Sequence, residues 1–348
     1  MTLAIAAILL GEIALVLDLG NRLFGSYARS LTRASWRILL IVAAAAFMAV
    51  PLGLLLVAPE STISRSLSLG FGVVGALVFL HFLFPYRWGI RRIGRGDNSE
   101  ACDSVVGGIV RRDAVIEVPS LSARVKQLTF IVMSDLHCNN ERDLAVVKRC
   151  CEVAAKERPD CVLVLGDLGE RRAMLPKTIE ALASVPARFG TFCVRGNHDC
   201  EAGRDEVIRG LLEDKGIALL SNKACRIEEL GVTLVGLETP WIHQPLPPCT
   251  GGGLGIALTH TPDNIALFGR LGVSVGVAGH THGGRLRLPL IGPLLVPSRY
   301  GRFLDKGLFA CKGAFLYVTS GLGYFPGSQG HRGEVLRLIV KRTGPQNH

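Results

Sequence analysis

The sequence predicts an α/β layered domain that is preceded by transmembrane helices. From residue 126 onward, short apolar strands alternate with helical stretches and are then followed by strands in series. This order is typical of two packed sheets with helices on the outside. Before about residue 86 the chain is much more apolar and contains segments long enough to cross a bilayer. The 348 residues allow both parts in one chain.

Three apolar segments account for the amino-terminal prediction: 1–20, 38–58 and 67–84. The first is the weakest because it contains Glu12 and Asp18, and it lacks the basic start of a signal peptide. Four arginines lie in the connection 21–37, and 85–96 is again rich in arginine. With three spans both basic stretches face the cytoplasm. We therefore expect a multi-pass membrane protein, with its amino terminus outside and its downstream domain in the cytoplasm.

The formal net charge of +10 favours an anionic partner, namely nucleic acid, a membrane surface or a phosphorylated substrate. Arginines beside the apolar segments account for much of this charge, and no stretch combines aromatic and basic residues as a nucleic-acid platform does. The 10 cysteines all follow residue 101 and form no CxxC pair. We interpret them as reduced packing residues, which favours a cytosolic catalytic half.

The predicted domain boundaries follow from these patterns. Residues 1–92 form a membrane anchor with about three helices, 93–125 a linker with a first strand near 114–118, and 126–348 the catalytic domain. Apolar, β-branched runs predict strands at 128–135, 161–167, 190–197, 217–221, 224–229, 232–237, 255–260 and 273–280. Amphipathic spacing predicts helices at 141–158, which Pro159 closes, at 177–185 and at 204–216.

Residues of metal-binding types follow the main strands. They are Asp135, His137, Asp167, Asn197, His198, His260, His280 and His282. Ligand sites in open α/β sheets lie beyond the carboxyl ends of the strands, and residues i and i+2 share one side of a strand. A single histidine there is more often structural, but the same chemistry at five strand ends predicts a metal site.

The motifs "DLH", "GDLGE", "GNHD", a lone "TH" and "GHTHGG" resemble, in order and spacing, those of the calcineurin-like metallophosphoesterases. The similarity covers about 128–340. The stretches "IGPLLVPSRYGRF" and "LYVTSGLGYF" resemble the bacterial membrane-associated branch related to YaeI and YkuE. The motif order also resembles the UDP-diacylglucosamine pyrophosphatases of lipid A biosynthesis. The resemblance implies a four-layer α/β/β/α sandwich and two divalent metal ions.

Carried over by position, the resemblance implies a role for each of these residues. Asp135, His137 and His282 bind one metal, Asn197, His260 and His280 bind the other, and Asp167 bridges both. His198 is the acid that protonates the leaving oxygen, and Asp199 orients it. Carboxylate, imidazole and amide ligands without a thiolate favour manganese, with iron or zinc as alternatives. Two such cations hold a phosphoryl group and lower the pKa of the attacking water.

Three further features of the sequence each allow a functional and a structural interpretation. Arg285 departs from the common "GHTHGGQ" pattern and is either a clamp for the substrate phosphate or a surface charge. Glu170 is either a hydrogen-bond partner behind the metals or a solvated loop charge. The apolar stretch 285–304 is either a lip that meets the bilayer or a hairpin packed on the sandwich. The loop 240–255 is predicted to form the pocket rim, where Trp241 and His243 can contact substrate.

Three functions follow from this. The first is a membrane-anchored, dinuclear-metal phosphoesterase acting on a phosphate ester or pyrophosphate, such as that of the lipid-linked UDP-2,3-diacylglucosamine. The second is a phosphodiesterase of nucleotides or nucleic acid, although no nucleic-acid partner is expected. The third is a catalytically inactive membrane scaffold or sensor, which fits less well because all seven ligand positions hold competent residues. The sequence predicts no oligomeric state.

Overall fold

A computed structural model describes residues 2–25, 42, 50, 53–54, 57–58, 61–84, 89–94, 104–106, 109–200, 204–242, 244–247, 252–322 and 333–343. The chain forms two compact units. The smaller consists of Met1–Trp88 and Gly284–Leu304, and the larger of Gly89–Gly283 and Asp305–His348. The first boundary between the units, after Trp88, lies close to the predicted end of the anchor at residue 92. The apolar stretch after the last metal motif belongs to the same unit as the amino-terminal helices.

The smaller unit contains the helices α1 (Thr2–Gly25) and α2 (Thr62–Leu83). Ser61 caps α2, because its hydroxyl accepts a hydrogen bond from the Ser64 amide. Both helices are long and apolar enough to cross a membrane, judged by length and composition, over Leu3–Arg22 and Thr62–Leu83. The predicted apolar segment 38–58 falls largely outside the described residues.

Small residues let α1 and α2 pack with their backbones close together. A Cβ atom on Gly72 would lie 3.2 Å from Ala4, and one on Gly75 would lie 2.4 Å from the Ala7 carbonyl oxygen. The residue numbers at these contacts increase together in the two helices, from Ala4 and Gly72 to Ala7 and Gly75, so the helices run parallel. Glycine and alanine at such interfaces are typical of helices that associate in lipid.

The apolar stretch after the last metal motif is a hairpin in the smaller unit. Its strands β12 (Arg285–Leu288) and β13 (Gly292–Leu295) pair antiparallel. The buried side chain of Asn21 in α1 donates to the Leu294 carbonyl at 3.0 Å and accepts from the Val296 amide at 2.8 Å. The Asn21 side chain thus bonds a carbonyl and an amide of the hairpin backbone, as a neighbouring strand would. These hydrogen bonds fix the hairpin to α1.

The larger unit is built on two seven-stranded sheets. One has the order β1-β14-β15-β11-β10-β9-β8, and the other β2-β3-β16-β4-β5-β6-β7. The strands of the first are β1 (Ile90–Gly94), β8 (Ala224–Ile227), β9 (Val232–Leu237), β10 (Leu254–Thr259), β11 (Val275–Ala278), β14 (Gly307–Cys311) and β15 (Ala314–Val318). Those of the second are β2 (Ser104–Val106), β3 (Ile109–Val118), β4 (Gln127–Met133), β5 (Cys161–Val164), β6 (Thr191–Cys193), β7 (Ala218–Leu219) and β16 (Glu334–Arg342).

Alternating side chains divide the core into layers. In β4, Phe130 and Val132 face the core between the sheets, whereas Ile131 and Met133 face the helices. Those helices are α3 (Glu141–Lys156), α4 (Leu175–Ala183) and α5 (Arg204–Asp214), and the short α6 (Phe268–Leu271) packs on the other sheet beside β11. The predicted α/β sandwich is confirmed. No disulfide joins the described cysteines.

Two local differences from the sequence prediction matter for the site. The predicted first strand near 114–118 is longer than expected: it is β3, which begins at Ile109 and runs parallel to β16 over nine residue pairs in the core sheet. The strands β4, β5 and β6 end earlier than predicted, at Met133, Val164 and Cys193. The polar residues that follow leave the ladder and form loops, which is how their side chains can turn toward one point.

Candidate active site

The first group of predicted ligands follows β4 and β11. Nε2 of His137 lies 3.3 Å from Nε2 of His282, which in turn lies 3.5 Å from Oδ1 of Asp135. The three ligand atoms all lie within 4.8 Å of one another, and all three side chains are buried. A carboxylate and two imidazoles that point at one centre form a suitable site for a divalent transition metal.

The second group follows β6, β10 and β11. Nε2 of His260 lies 3.2 Å from Oδ1 of Asn197 and 3.2 Å from Nδ1 of His280. Nδ1 of His260 faces the Leu165 carbonyl oxygen at 2.7 Å, so that contact holds the ring with Nε2 toward the site. The donor atoms again converge from separate strand ends.

Asp167 lies between the two groups. Its Oδ2 is 3.2 Å from Nε2 of His260 and 3.7 Å from Nε2 of His137. Two neighbouring dications need an anionic ligand between them to reduce their repulsion, and this carboxylate is in the position to supply it. The donor set therefore fits a dinuclear divalent metal site.

The backbone at this site is strained in a way that sequence patterns do not reveal. Five of the seven candidate ligands have φ in the left-handed region: Asp135 (53°), His137 (41°), Asp167 (53°), His280 (71°) and His282 (50°). Non-glycine residues adopt this conformation at a cost, and they cluster at functional sites. Hydrogen bonds from the Asp135 amide to the Gly166 carbonyl and from the His137 amide to the Asp167 carbonyl, both 3.0 Å long, hold two of these loops together.

Two glycines allow the loops to approach each other. A Cβ atom on Gly196 would lie 2.1 Å from Oδ1 of Asp167, and one on Gly279 would lie 2.0 Å from Oγ of Ser134. No side chain fits in either place, so the glycines of the "GNHD" and "GHTH" motifs serve close packing.

His198 lies beside the ligands and is about one-third exposed. Its ring meets the His137 ring edge to face, with centroids 5.2 Å apart, and its backbone amide donates to Oδ1 of Asp167 at 2.9 Å. Its Nδ1 is 3.5 Å from Oε1 of Glu170. His198 is therefore partly open to solvent while staying next to the carboxylate of Asp167.

Asp199 was expected to orient the His198 ring, but its carboxylate points elsewhere. It accepts hydrogen bonds from the amides of Asp167 (2.6 Å), Leu168 (2.9 Å) and Gly196 (2.9 Å). Among the described residues no hydrogen bond joins it to the His198 ring. A buried carboxylate is stabilised by several amide donors, so Asp199 fixes the loops that carry Asp167 and Asn197 rather than the imidazole.

Glu170 is a hydrogen-bond partner of the site and not a solvated loop charge. Its Oε1 lies 2.7 Å from Nδ1 of His137, and its other oxygen accepts from the Asn139 side chain. Arg204 donates to the carbonyl oxygens of Glu170 (3.2 Å) and His198 (2.6 Å) and so ties the two loops together. Sequence reasoning missed Asn139 and Arg204, although Asn139 follows His137 by only two residues.

Two further predicted contacts turn out differently. Trp241 does not form a rim: it is buried, and its ring packs edge-on against His260 and His280, with centroids 5.3 Å away in each case. His243 lies outside the described residues. The backbone of Arg285 pairs with Leu295 in the hairpin, while its side chain lies outside the described part of the structure.

Comparison with known proteins identifies the domain. Residues 128–284 match the family model of the calcineurin-like phosphoesterases. The chain contains a calcineurin-like metallophosphoesterase domain. The matched range holds every strand end that carries a candidate ligand, from Asp135 to His282. The domain and its His/Asp cluster together make the protein a metal-dependent phosphoester hydrolase.

Similar proteins include both bacterial and animal members. The chain is 26% identical to the uncharacterized metallophosphoesterase YkuE of Bacillus subtilis, over 56% of this chain and 71% of that protein. It is 29% identical to the phosphodiesterase YaeI of Escherichia coli, over 56% and 74%. It is also 27% identical to a transmembrane protein with metallophosphoesterase domain of Danio rerio, over 66% and 57%.

The charges in the metallophosphoesterase site depend on one another. Burial lowers the pKa of His260, but the carboxylates of Asp167 and Asp135 outweigh it and raise that pKa to about 9. Burial likewise opposes protonation of His137, yet its hydrogen bond to Glu170 and the charge of Asp167 raise its pKa to about 9. Burial and the neighbouring His260 lower the pKa of His280 to about 3. Without a cation, therefore, two of the imidazoles carry protons at neutral pH.

We expect cation binding to release protons at neutral pH. A ligating imidazole must be neutral, so a cation displaces the protons that His137 and His260 hold below their pKa values of about 9. The two imidazoles should release about two protons per protein molecule at pH 7 and almost none at about pH 10, so the total release should fall and the apparent affinity rise between these limits. Titration calorimetry with manganese in buffers of different ionisation enthalpy measures this number. An equal heat in all buffers at pH 7 would contradict the prediction.

A buried ion pair supports the loop that carries Asn197. Nη2 of Arg195 lies 2.7 Å from Oε2 of Glu238, and the Arg195 amide donates to the same carboxylate at 2.8 Å. The Ser221 hydroxyl donates to it at 2.5 Å, and neither charged side chain is more than 1% exposed. This pair anchors the start of the "GNHD" loop two residues before Asn197.

Removal of one partner of this pair should strongly destabilise the domain. In Glu238→Ala the buried guanidinium keeps only the partly exposed Asp205, 3.1 Å from its Nη1, so we expect the free energy of unfolding to fall by about 3 kcal/mol. Glu228→Ala is the matched control, because Glu228 contacts Arg226 at 2.8 Å on the surface and should cost at most about 1 kcal/mol. Urea unfolding of both variants tests the difference, and equal midpoints would show that the buried pair is dispensable.

Proposed function

We propose that the protein is a membrane-anchored phosphoesterase with two divalent metal ions that hydrolyses a phosphate ester or pyrophosphate of a lipid-linked substrate. The observation that carries this proposal is the position of Asp167 between two groups of ligands, 3.2 Å from His260 and 3.7 Å from His137. Manganese is the metal we propose first, with iron or zinc as alternatives, since all the ligands are oxygen or imidazole nitrogen.

The residues of the site have separate roles in the proposed reaction. With two divalent cations bound, the site would polarise the phosphoryl group and lower the pKa of the attacking water. His198, beside the bridging carboxylate and open to solvent, protonates the leaving oxygen as general acid. Asp199 and Glu170 act behind them, one on the loop backbone and the other on the His137 ring. Arg285 binds the substrate phosphate in this proposal.

Three membrane spans fit the parallel arrangement of α1 and α2. Two parallel neighbouring spans require a third crossing between them, and the apolar segment 38–58 is the part of that connection with suitable composition. With arginines on both 21–37 and 85–96, this topology puts the amino terminus outside and the metallophosphoesterase domain in the cytoplasm of a bacterium.

The anchor favours a substrate that resides in the membrane. UDP-2,3-diacylglucosamine, a pyrophosphate with two acyl chains from lipid A biosynthesis, is the most specific candidate. A phosphodiester of a nucleotide is the second candidate, because the relative YaeI is named a phosphodiesterase. Fold alone does not select between them, since one scaffold serves many substrates.

A substrate panel with defined metal content tests the proposal. The full-length protein, purified in detergent, is stripped with a chelator and reloaded with manganese, iron(II) or zinc. It is then assayed on UDP-2,3-diacylglucosamine, bis-p-nitrophenyl phosphate and a cyclic nucleotide, with Asp167→Ala as inactive control. We expect metal-dependent turnover that is fastest on the lipid pyrophosphate. Turnover confined to the soluble diesters would favour the second candidate, and a protein that binds no metal and hydrolyses nothing would favour the scaffold.

A further inference from the structure

The hairpin between β12 and β13 exposes an apolar tip. Leu286, Leu288, Leu290 and Ile291 are exposed by 54%, 45%, 108% and 39%. Leu290 is thus fully exposed at the turn. Single exposed leucines are common on soluble proteins, but four within six residues form a patch that normally has a partner.

The tip lies beside the end of α2. The Arg302 guanidinium stacks over the Phe82 ring at 5.0 Å and donates to the Ile291 carbonyl oxygen, so it joins the tip to the last turn of α2. Phe82 belongs to the apolar range Thr62–Leu83 that is long enough to span a bilayer. The tip is therefore at the depth where that range ends.

The base of the hairpin lies next to the polar end of α1. Asn21 forms hydrogen bonds with the backbone of β13 and of the residue after it. Arg22 donates to the Arg299 carbonyl oxygen at 2.9 Å and forms an ion pair with Asp18 at 2.7 Å. The hairpin therefore extends from a polar base beside the end of α1 to an apolar tip beside the end of α2. This change from polar to apolar side chains matches the change from water to lipid at a membrane surface.

The charge of the hairpin matches a lipid surface. Apart from Arg285, which the proposed function assigns to the substrate phosphate, residues 285–304 contain three arginines, namely Arg287, Arg299 and Arg302, and no acidic residue. Arginines that flank exposed apolar side chains are typical of elements that lie in the interface, where the apolar groups enter the acyl region and the cations meet anionic headgroups.

We propose that the hairpin tip, Leu288–Ile291, inserts into the lipid bilayer beside α2. This inference rests on the proposed membrane anchoring and adds a second, non-helical contact with the same membrane. The hairpin starts three residues after the candidate ligand His282, with only Gly283 and Gly284 between them. A lipid contact thus lies close in sequence to the metal site.

Tryptophan quenching by brominated lipids tests the insertion with three variants of the full chain. Leu290→Trp reports on the tip, Leu77→Trp on the exposed face of α2, and Val146→Trp on α3 in the larger unit, where no lipid contact is proposed. Each variant is reconstituted into phosphatidylcholine–phosphatidylglycerol vesicles, and its signal is compared with that of the unsubstituted protein, which contains three tryptophans. The bromine atoms are placed near the headgroup end or near the middle of the acyl chain.

We expect the added fluorescence of Leu290→Trp to be quenched at least about twofold by lipids brominated near the headgroup and less by lipids brominated at mid-chain. Leu77→Trp should be quenched by both lipids and Val146→Trp by neither. Quenching of Leu77→Trp without quenching of Leu290→Trp would overturn the hairpin proposal and leave the anchor intact. Absence of quenching in all three variants would overturn the anchor and the hairpin proposal with it.

Discussion

Asp167→Ala should abolish activity and metal binding together. The substitution removes the carboxylate between the two ligand groups and also the acceptor of the His198 amide. Without an anion between them, two dications repel each other strongly in a buried site. Because bound metal contributes several kcal/mol of transition-state stabilisation, we expect kcat/KM to fall by about 10³-fold or more.

Two measurements on bis-p-nitrophenyl phosphate hydrolysis check this expectation: kcat/KM, and metal content by mass spectrometry. Asp167→Asn separates charge from shape, since the amide keeps an acceptor for the His198 amide but supplies no negative charge. It should lose activity almost as completely as the alanine variant. Asp214→Ala, an exposed aspartate at the end of α5, is the control and should match the wild type. Full activity of Asp167→Ala would rule out the bridging role.

His198→Ala should strongly lower activity on esters with a poor leaving group while metal content stays unchanged. His198 is not one of the seven predicted ligands, although its ring offers a ligand atom within 4.8 Å of those of His137 and Asp167, and it is one-third exposed. Loss of a general acid typically costs about 10²–10⁴-fold in rate. The contrast with Asp167→Ala, which loses metal as well, distinguishes a proton donor from a ligand.

The size of the loss should depend on the leaving group. A p-nitrophenolate leaves without protonation, whereas an alkoxide needs a proton, so His198→Ala should impair the alkyl phosphate ester far more than the p-nitrophenyl ester. Parallel assays of both esters on wild type and variant measure this ratio. Equal losses on the two esters would show that His198 acts by binding or positioning and not as an acid.

Glu170 and Asp199 show where residue types alone mislead. Both acids adjoin a motif, and the family resemblance implied that Asp199 orients His198. In the structure Asp199 accepts three backbone amides, and Glu170 is the carboxylate near both His137 and His198. Adjacency in sequence does not state which way a side chain points, because that depends on backbone angles set by the packing of separate loops.

The sequence by itself determined the strands that became β3 to β11, the candidate ligands at the strand ends and the apolar segments before residue 86. These features are local: periodicity of apolar residues and the position of polar residues after each run follow from neighbours in the chain. For the same reason strand ends were placed up to a few residues too late, since the departure of a residue from the ladder is a tertiary event.

Only the tertiary structure decided which of these residues act together. It closed the distance between Asp167 and His260, forced left-handed φ angles on five ligands, paired Arg195 with Glu238 in the core and fixed the hairpin to α1 through Asn21. Each of these depends on groups far apart in the chain, and their geometry is set by close packing and by the need to pair buried polar atoms. No pattern within a short window of sequence contains that information.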